Sequence, residues 1–300
     1  MKTKNTYAVM GATGHIGQPL VRELLKKGYA VRAIGRDAKK LADLKRLGAE
    51  TFSFSFDSAE DLTKAFTGAT AVFTMLPSAY SESDFYGYEE KVSEAFASAI
   101  SKSNVKYVVN MSSIGAQHPD GTGIVKAHYY NEQRLNKIPG INVVHIRAPF
   151  FMENFFYATK EMEDKGYFSF SYRKDLSVPF VAASDIAKKV VEYFESLNFT
   201  KYSVFELYGP ESLTFEQAAG YFSKSYQRPI RYKQYTYNDD EKAMVSYGMN
   251  PSAARMFVEF NKAMNDGLIS YTQKQSPQNT CTTTFNSFAN RYFGREKIAA

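Results

Sequence analysis

The sequence has 300 residues, of which 44% are hydrophobic and 23% charged, as is typical of a globular protein with a substantial core. Its formal net charge of +6 is spread along the chain, and no nucleic-acid-binding motif is present, so no direct binding to nucleic acid is expected. The single cysteine, Cys281, excludes an internal disulfide and a cysteine-based zinc site. The four histidines lack metal-ligand spacing, so no metal site is expected either.

The sequence also predicts where the protein resides. No apolar run approaches the roughly 18 residues that a membrane span needs. Met1 to Lys4 lead directly into the first predicted strand, without the apolar core of a signal peptide. Together with the lone cysteine, these features predict a cytoplasmic protein that does not enter membranes. The oligomeric state is left open.

A glycine-rich turn follows the first predicted strand, Tyr7 to Met10, and leads into a helical pattern. It reads Gly11-Ala12-Thr13-Gly14-His15-Ile16-Gly17. The first glycine permits a sharp turn, the second lets backbone approach a pyrophosphate, and the third lets the helix lie close to the strand. The amides that open the helix would face an anion. The pattern predicts a dinucleotide site formed by Thr13, His15, Ile16 and the three glycines; the alternative is a turn that binds nothing.

Strands and helices then alternate along the chain. The further predicted strands are Tyr29 to Ile34, Glu50 to Phe56, Ala71 to Leu76, Tyr107 to Met111 and Ile141 to Ile146. The helices between them are predicted to end near Leu47, Phe66, Ser101 and Lys137, and the first two begin at the capping residues Asp37 and Ser58. This alternation predicts an α/β fold with a doubly wound parallel sheet, the Rossmann fold, over residues 1–150.

Beyond residue 150 the regular alternation fades. The segments with a clear preference are a helix over Asn154 to Lys165, a strand over Tyr167 to Tyr172, a helix from Ile186 to Leu197 capped by Ser184-Asp185, a strand over Val204 to Tyr208, and a capping box at Thr214 to Gln217. From Arg228 onward the sequence is rich in Tyr and Phe. We predict a smaller, mostly helical substrate lobe over residues 151–300, interleaved with the Rossmann domain and closing a cleft over the carboxyl edge of the sheet.

Several residues are predicted to end strands at that edge. Arg36 follows the second strand, where an acidic residue would hold the ribose of NAD and an arginine suits the 2′-phosphate of NADP. It therefore favours NADP(H), and the alternative is an ordinary surface arginine. Met75-Leu76-Pro77 ends the fourth strand and Ser112-Ser113 the fifth, so both are predicted to contact the cofactor.

These motifs together resemble a known family. The glycine turn, Arg36, Ser112-Ser113, the segment from Arg147 to Asn154, Ser184 to Ala187 and Gly209 to Thr214 are similar to the NmrA-like branch of the atypical short-chain dehydrogenase/reductases. The resemblance keeps its order over nearly the whole chain. It implies NADP-type binding. Members of this branch include NADPH-dependent quinone reductases, reductases of plant phenylpropanoids, and NAD(P)-binding redox sensors or transcriptional co-regulators.

The helix after Ser113 departs from the pattern of short-chain reductases. Such enzymes are expected to carry Tyr-x-x-x-Lys, with the tyrosine as acid and the lysine lowering its pKa. Here Tyr130 is followed four residues later by Arg134, which does not readily exchange a proton. By the resemblance, His128 falls where substrate-reducing members have lysine or histidine. We predict that His128 contacts the ribose or relays a proton and that Glu132 orients it, the alternative being a polar helix face without chemistry. Tyr129 is a further catalytic candidate, although Tyr129 and Tyr130 would serve equally to pack.

The segment after the sixth strand is predicted to lie beside the nicotinamide. Phe150, Phe151 and Met152 would form an apolar wall suited to a flat ring, and Asn154 would hydrogen-bond the cofactor. The alternative for each aromatic residue is plain core. His118, near Pro119-Asp120-Gly121, is predicted to lie in a surface loop, the alternative being that it reaches the cleft.

Two functions from different classes follow from the sequence. The first is an NADPH-dependent oxidoreductase that transfers hydride to a small aromatic or conjugated acceptor such as a quinone, because a quinone needs little acid assistance. The second, motivated by the missing Tyr-x-x-x-Lys pair, is a non-catalytic NADP(H) redox sensor with a protein partner. Isomerase or epimerase chemistry on a nucleotide sugar is less favoured, since it usually needs the same pair.

Overall fold

The computed structural model describes residues 5–294, and the segment from Met1 to Lys4 lies outside them. Its strands are β1 Thr6–Met10, β2 Ala30–Gly35, β3 Glu50–Ser53, β4 Ala71–Met75, β5 Tyr107–Ser113, β6 Asn142–Ala148, β7 Tyr167–Phe170, β8 Ser177–Val178, β9 Tyr202–Glu206, β10 Leu213–Thr214 and β11 Arg231–Gln234. Its α-helices are α1 Gly17–Lys26, α2 Ala38–Arg46, α3 Ala59–Phe66, α4 Phe85–Ser103, α5 Lys126–Asn136, α6 Thr159–Lys165, α7 Ala183–Ser196, α8 Phe215–Tyr226, α9 Tyr237–Ser246, α10 Pro251–Asn265 and α11 Phe285–Phe293. Two 3₁₀ helices span Gly123–Val125 and Met152–Ala158.

Seven parallel strands form the main sheet in the order β3-β2-β1-β4-β5-β6-β9. The chain runs outward from β1 to β3, returns to β4 beside β1, and continues outward through β5 and β6. This is the doubly wound arrangement that the sequence predicts. The seventh strand is a difference: β9 was expected only as an isolated strand beyond residue 150, but it pairs with β6 after the crossover helix α7. Helix α7 packs against α1, so both elements belong to the sheet layer.

Three apolar clusters fill the molecule. On one face of the sheet, α1, α2 and α7 bury residues such as Leu20, Leu44 and Phe194. On the other face, α3, α4 and α5 bury residues such as Phe66 and Phe96. The third cluster belongs to the C-terminal lobe and is largely aromatic. At its centre, Phe155 has seven aromatic neighbours with ring centroids 5.1 to 6.3 Å away: Phe150, Phe168, Phe170, Phe180, Phe215, Phe222 and Phe285.

Most of the helix caps predicted from the sequence are confirmed, and one of them is wrong. Asp37 accepts from the amides of Lys39 and Lys40, Ser58 caps α3, and Thr214 forms the predicted capping box with Gln217. Ser184-Asp185, however, does not cap a helix that begins at Ile186. Helix α7 begins at Ala183, and its first amide donates to both carboxylate oxygens of Glu153, at 3.1 and 3.0 Å. The acceptor comes from thirty residues upstream, which a local sequence pattern cannot reveal.

Other boundaries shift by a few residues. The predicted helix over Asn154 to Lys165 is a 3₁₀ turn followed by α6, and the third strand ends at Ser53 instead of Phe56. Within residues 5–294, no helix combines the length and apolar character needed to cross a bilayer.

The C-terminal segment crosses back over the last strand of the sheet. The buried carboxylate of Glu206 accepts from the amides of Thr272 and Gln273, each at 2.8 Å, and from the Thr272 hydroxyl. The side chain of Gln273 in turn donates to the carbonyl of Val204 and accepts from the amide of Glu206. Residues 272–273 therefore fasten the lobe to the edge strand β9.

Candidate functional site at the carboxyl edge of the sheet

The glycine turn has the geometry expected of a phosphate-binding turn. Gly11 adopts a φ of +62°, and a Cβ there would come within 2.6 Å of the Met75 sulfur. A Cβ on Gly17 would overlap the carbonyl oxygen of Gly11, so the third glycine lets α1 pack closely against the end of β1. Gly14 is exposed, and its amide donates to the Gly11 carbonyl at 2.9 Å. The turn at Gly11 and the close packing at Gly17 thus agree with the positions that the sequence assigns to them, and the approach of a pyrophosphate at Gly14 stays a prediction.

The start of α1 leaves backbone donors for a ligand. Among the described residues, the backbone hydrogen bonds of the turn use the amides of Ala12, Gly14 and Gln18, and none uses those of His15 or Ile16. Thr13 is half-buried, whereas the Ile16 side chain is buried, so Ile16 can contribute only backbone to a ligand. Free amides at a helix N-terminus are suited to a phosphate group.

His15 connects the turn to the C-terminal lobe. Its ring centroid lies 5.5 Å from that of Phe156, and partial burial lowers the pKa of the imidazole. Phe156 itself packs on Phe288 and Phe293 of α11. The sequence predicts a histidine that faces solvent or phosphate; the structure adds a contact with the lobe that closes this side of the turn.

Arg36 lies at the exposed end of β2. Its guanidinium carbon is 5.7 Å from the centroid of the Phe56 ring, and no carboxylate among the described residues pairs with it. A second arginine on the same strand, Arg32, donates to Glu50 and to the carbonyls of Ala65 and Thr67. Of these two arginines, only Arg36 has a free cationic group for an anionic ligand.

The ends of two further strands, β4 and β5, lie side by side at the carboxyl edge of the sheet. Met75 faces Gly11, and Leu76 and Pro77 after it are buried. At the end of β5, Ser112 is buried and the Ser113 hydroxyl donates to the carbonyl of Ile114 at 3.0 Å.

The Ser112 hydroxyl is part of a buried ionic cluster. It donates to Glu132 at 2.5 Å, and Arg147 at the end of β6 binds the same carboxylate through two nitrogens, at 2.9 and 2.6 Å. The two charged side chains are 2% and 8% exposed. Gln117 extends the cluster to the lobe, since it accepts from Arg147 and donates to the carbonyl of Ser270. Glu132 is thus fully engaged by Ser112 and Arg147, and none of its described hydrogen bonds reaches His128.

His128 lies in the first turn of α5, and its ring is half-buried. Its Nδ1 atom is shielded from solvent and has no hydrogen-bond partner. Burial lowers the pKa of this imidazole to about 4, with the Glu132 carboxylate opposing the shift. The ring is therefore neutral at pH 7. It can bind a ribose hydroxyl or donate the proton of its protonated nitrogen. It does not carry the second proton that an imidazolium would have.

The two tyrosines of α5 form an edge-to-face pair with centroids 5.1 Å apart. Tyr130 is 37% exposed and lines a shallow surface depression with Tyr86 and Arg134. Arg134 points to the same outer surface, where it donates to Ser93 at 2.7 Å and pairs with Glu90 and Glu94. The position at which a short-chain reductase would carry lysine is thus occupied by an arginine engaged with α4.

The segment after β6 contributes mainly to the lobe core. The half-buried Phe150 packs edge-to-face on Phe170, Phe180 and Phe215. Phe151 joins the sheet cluster, and Met152 is buried in the lobe. Asn154 is half-buried, and its amide donates to the Phe151 carbonyl. The core interpretation of Phe150 is thus favoured by its contacts, while its role and that of Asn154 beside a nicotinamide stay predictions.

Sequence reasoning missed several polar residues of this edge. Arg147 and Glu153 belong to a segment of the family motif, but the sequence assigns them no role. Their hydrogen-bond partners are too distant in the chain to be inferred from that segment. His118 was expected in a surface loop, but it is half-buried and its Nε2 is shielded without a partner. Glu89 was not singled out, although it falls on the apolar stripe of α4 formed by Phe85, Val92 and Phe96. Within residues 5–294, no group of three or more His, Cys, Asp or Glu side chains is placed to hold a metal ion.

Comparison with known proteins identifies the family. The model of the NmrA-like family matches residues 3–289. The chain belongs to the NmrA-like family. It is 26% identical over 246 residues to an NAD(P)H azoreductase of Xenophilus azovorans, a match that covers 82% of each chain.

Solved structures show that the whole fold is shared. An NADPH-dependent quinone oxidoreductase from Escherichia coli, complexed with NADPH, superposes on this NmrA-like protein with a TM-score of 0.78 at 21% identity, covering 94% of this chain and 98% of the other. NmrA, a negative transcriptional regulator solved with NADP, superposes with a TM-score of 0.64 at 16% identity, covering 88% and 95%. The fold is therefore common to catalytic and regulatory relatives.

Proposed function

We propose that this NmrA-like protein is an NADPH-dependent reductase of small aromatic or conjugated acceptors, quinones and azo compounds among them. The observation that carries the proposal is the glycine turn, with its positive-φ Gly11, its close Gly17 contact and its open amides at His15 and Ile16. These features fit a dinucleotide phosphate. The naming of relatives as NAD(P)H azoreductase and NADPH-dependent quinone oxidoreductase supports the chemistry.

The residues of the chain divide the work of binding. The open amides would hold the pyrophosphate, and Arg36 would bind the 2′-phosphate that distinguishes NADPH from NADH. Met75, Leu76 and Pro77 would line one side of the cofactor, and Phe151 and Asn154 would lie towards the nicotinamide. When bound, NADPH supplies the hydride. The Tyr-x-x-x-Lys acid is missing, so His128 would donate a hydrogen bond or a proton to the reduced acceptor.

The choice of acceptor follows from the same absence. A simple ketone develops a localised alkoxide and needs a strong nearby acid, whereas a quinone spreads the negative charge over its own ring. A neutral imidazole is adequate for the second task. The aromatic lobe over the carboxyl edge of the sheet is also suited to flat acceptors.

The test is oxidation of NADPH, followed at the nicotinamide absorbance, with quinones, azo compounds and nitroaromatics as acceptors. Calorimetric titrations with NADPH and NADH measure binding separately. We expect turnover with at least one acceptor class and a preference for NADPH. Tight NADPH binding without any turnover would contradict the reductase and favour the second candidate, a redox sensor, which the fold shared with the regulator NmrA supports.

A further inference from the structure

Unpaired polar atoms are concentrated at one place in the fold. Within residues 5–294, seven buried side-chain nitrogen or oxygen atoms have no hydrogen-bond partner. Four of them belong to α4, to the loop after β5 and to α5: Glu89 Oε2, His118 Nε2, Thr122 Oγ1 and His128 Nδ1. An unpaired buried polar atom costs about 1 to 3 kcal/mol. Their concentration between β4 and β6, in two consecutive βαβ units, points to a polar group that binds among them.

The packing of α4 on α5 relates Glu89 to His128. Both helices follow neighbouring parallel strands and run in the same direction. Ser93 of α4 donates to the Asn131 side chain of α5 at 2.7 Å, which fixes their relative register. Glu89 lies one helical turn before Ser93 on α4. His128 lies one helical turn before Asn131, in the first turn of α5. Glu89 therefore lies beside the turn that carries the candidate proton donor.

The surroundings of Glu89 favour the protonated form of its carboxyl group. The residue is 5% exposed, and no cation within residues 5–294 pairs with it. Burial, as the sole cause, raises the pKa of its carboxyl group well above the usual range. Tyr80, in the loop between β4 and α4, interacts electrostatically with Glu89: the pKa of Tyr80 is raised to about 12, mainly by burial and partly by this carboxyl group.

The other titratable groups around α4 do not shift the pKa of Glu89. The elements packed against this helix also carry, besides His128 itself, these titratable groups: Glu60, Asp61 and Lys64 on α3; Lys126, Tyr129, Tyr130, Glu132 and Arg134 on α5; and Arg255, Glu259 and Lys262 on α10. Since burial alone shifts the Glu89 pKa, none of these groups compensates a carboxylate at this position.

We propose that Glu89 acts through His128 as the proton source of the site, with a water molecule bridging Glu89 Oε2 and His128 Nδ1. This inference rests on the proposed reductase function. The acceptor oxygen gains the Nε2 proton of His128, Nδ1 gains the carboxyl proton of Glu89, and the imidazole stays neutral throughout. With the hydride from NADPH, this proton completes a two-electron reduction of the acceptor. After product release, Nδ1 returns its proton to the Glu89 carboxylate and solvent protonates Nε2, which restores both side chains to their starting state.

The relay explains how a histidine that is neutral at pH 7 can supply a proton. An imidazole with one proton can donate it only if its other nitrogen is protonated at the same time, because an isolated imidazolate is too basic to persist. Glu89 meets that need without placing a charge next to the acceptor beforehand. Glu89 is thus a positioning residue that supplies the proton, and His128 is the group in contact with the acceptor.

The first test is the pH dependence of turnover by Glu89→Gln, which keeps the size of the side chain but has no acidic proton. We expect kcat to fall by at least about tenfold with an unchanged dissociation constant for NADPH. The wild-type rate should also decline as the pH rises through the Glu89 pKa, and the variant should lack that decline. Glu89→Asp should restore part of kcat. Glu90→Gln, which removes a carboxylate from the exposed face of the same helical turn, is the matched control and should behave as wild type.

The second test does not depend on turnover. Infrared spectra at pH 7 should contain a protonated-carboxyl band that is absent in Glu89→Gln, unchanged in Glu90→Gln and shifted in His128→Gln. An active enzyme whose kcat and pH profile are unaffected by Glu89→Gln would overturn the relay and leave the reductase intact. Absence of turnover with every acceptor would overturn the reductase and the relay step. In that case an infrared band insensitive to His128→Gln would also overturn the pairing of the two side chains.

Discussion

Arg36 is suited to an anionic ligand because no carboxylate among the described residues pairs with it. Its neighbour on the same strand, Arg32, is held by a carboxylate and two carbonyls, whereas Arg36 only lies over the Phe56 ring. A guanidinium without a carboxylate partner can bind a phosphate without first breaking an ion pair. The position at the tip of β2 is where the ribose of a dinucleotide is expected in this fold.

Substitution of Arg36 tests the proposed preference for NADPH. We expect Arg36→Ala to raise the dissociation constant of NADPH about tenfold, the effect of one charge-assisted contact at an exposed site, and to leave that of NADH unchanged. Calorimetric titration measures both constants. The control is Arg46→Ala, which removes an exposed arginine paired only with Asp43 on α2. Equal losses for the two cofactors would show that Arg36 does not contact the 2′-phosphate.

Substitution of Gly17 tests the close contact between α1 and the glycine turn. A methyl group at this position overlaps the Gly11 carbonyl, so Gly17→Ala should displace the turn, abolish NADPH binding, and lower the free energy of unfolding by about 1 to 3 kcal/mol. Gly220→Ala is the control. Its Cβ would meet no atom within 4 Å inside α8, and there alanine should stabilise by about 0.5 to 1 kcal/mol. Urea unfolding and NADPH titration of both variants provide the measurement.

At the scale of secondary-structure elements, a buried polar chain joins the central strands to α4 and α5. Asn110 on β5 accepts from Thr74 and Asn131 and donates to His145 Nδ1 at 3.1 Å. His145 in turn donates from Nε2 to Asn136 at 2.9 Å. This pattern requires a neutral imidazole with its proton on Nε2. Burial accordingly lowers the pKa of His145 to about 4.

The neutral His145 predicts a loss of stability in mild acid. The unfolded chain binds this proton near pH 6.5 and the folded chain near 4, so the contribution of His145 is complete above 6.5 and declines as the pH falls towards 4. At pH 5 the decline is about 2 kcal/mol. Urea unfolding should therefore show His145→Asn to be destabilised relative to wild type at pH 7 and less so at pH 5. A difference independent of pH would contradict the assignment. Glu153 acts in the opposite direction, because its pKa is raised to about 7, but it is present in both proteins and cancels.

The elements differ in how far the sequence could predict them. The first five strands and their helices carry short apolar runs, glycine stops and capping residues, all of them local signals, and their type and order were predicted. The place of β9 in the sheet depends on α7 packing against α1, more than 150 residues away, and was missed. The same holds within the site. Glycine spacing revealed the turn, whereas the Arg147–Glu132 pair and the Glu153 cap need side chains that only the folded chain brings together.

For the whole molecule, the contacts between sheet and lobe depend on a few buried carboxylates. Glu206 fastens residues 272–273, and Asp185 at the start of α7 accepts from the Thr283 amide at 2.8 Å. Glu211 in addition accepts from the amide of Phe285. The returning C-terminal segment is thus held at three points: on β9, on α7 and in the loop between β9 and β10. The proposed substrate cleft lies between the two parts that these bonds connect.

Substitution of Glu206 should loosen that connection. In Glu206→Gln, one oxygen is replaced by an amide NH₂ group that faces the donors of Thr272 and Gln273, and the mismatch should lower the free energy of unfolding by about 1 to 3 kcal/mol. Hydrogen exchange should rise first at residues 270–281, before the strands of the sheet. Glu195→Gln, at an exposed position of α7 where the carboxylate pairs with Lys27, is the control and should leave exchange in this segment unchanged. Uniform acceleration over the whole chain would show that Glu206 supports global stability instead.

The Gln273 side chain also determines where the sheet stops. Its amide occupies a carbonyl and an amide of β9 that would otherwise be open to a further strand. An unprotected edge strand recruits strands from other molecules and is a common start of aggregation. At the opposite edge, β3 has only four residues, and three of them, Glu50, Thr51 and Ser53, have polar side chains. Both borders of the sheet therefore discourage its extension by a strand of a second chain.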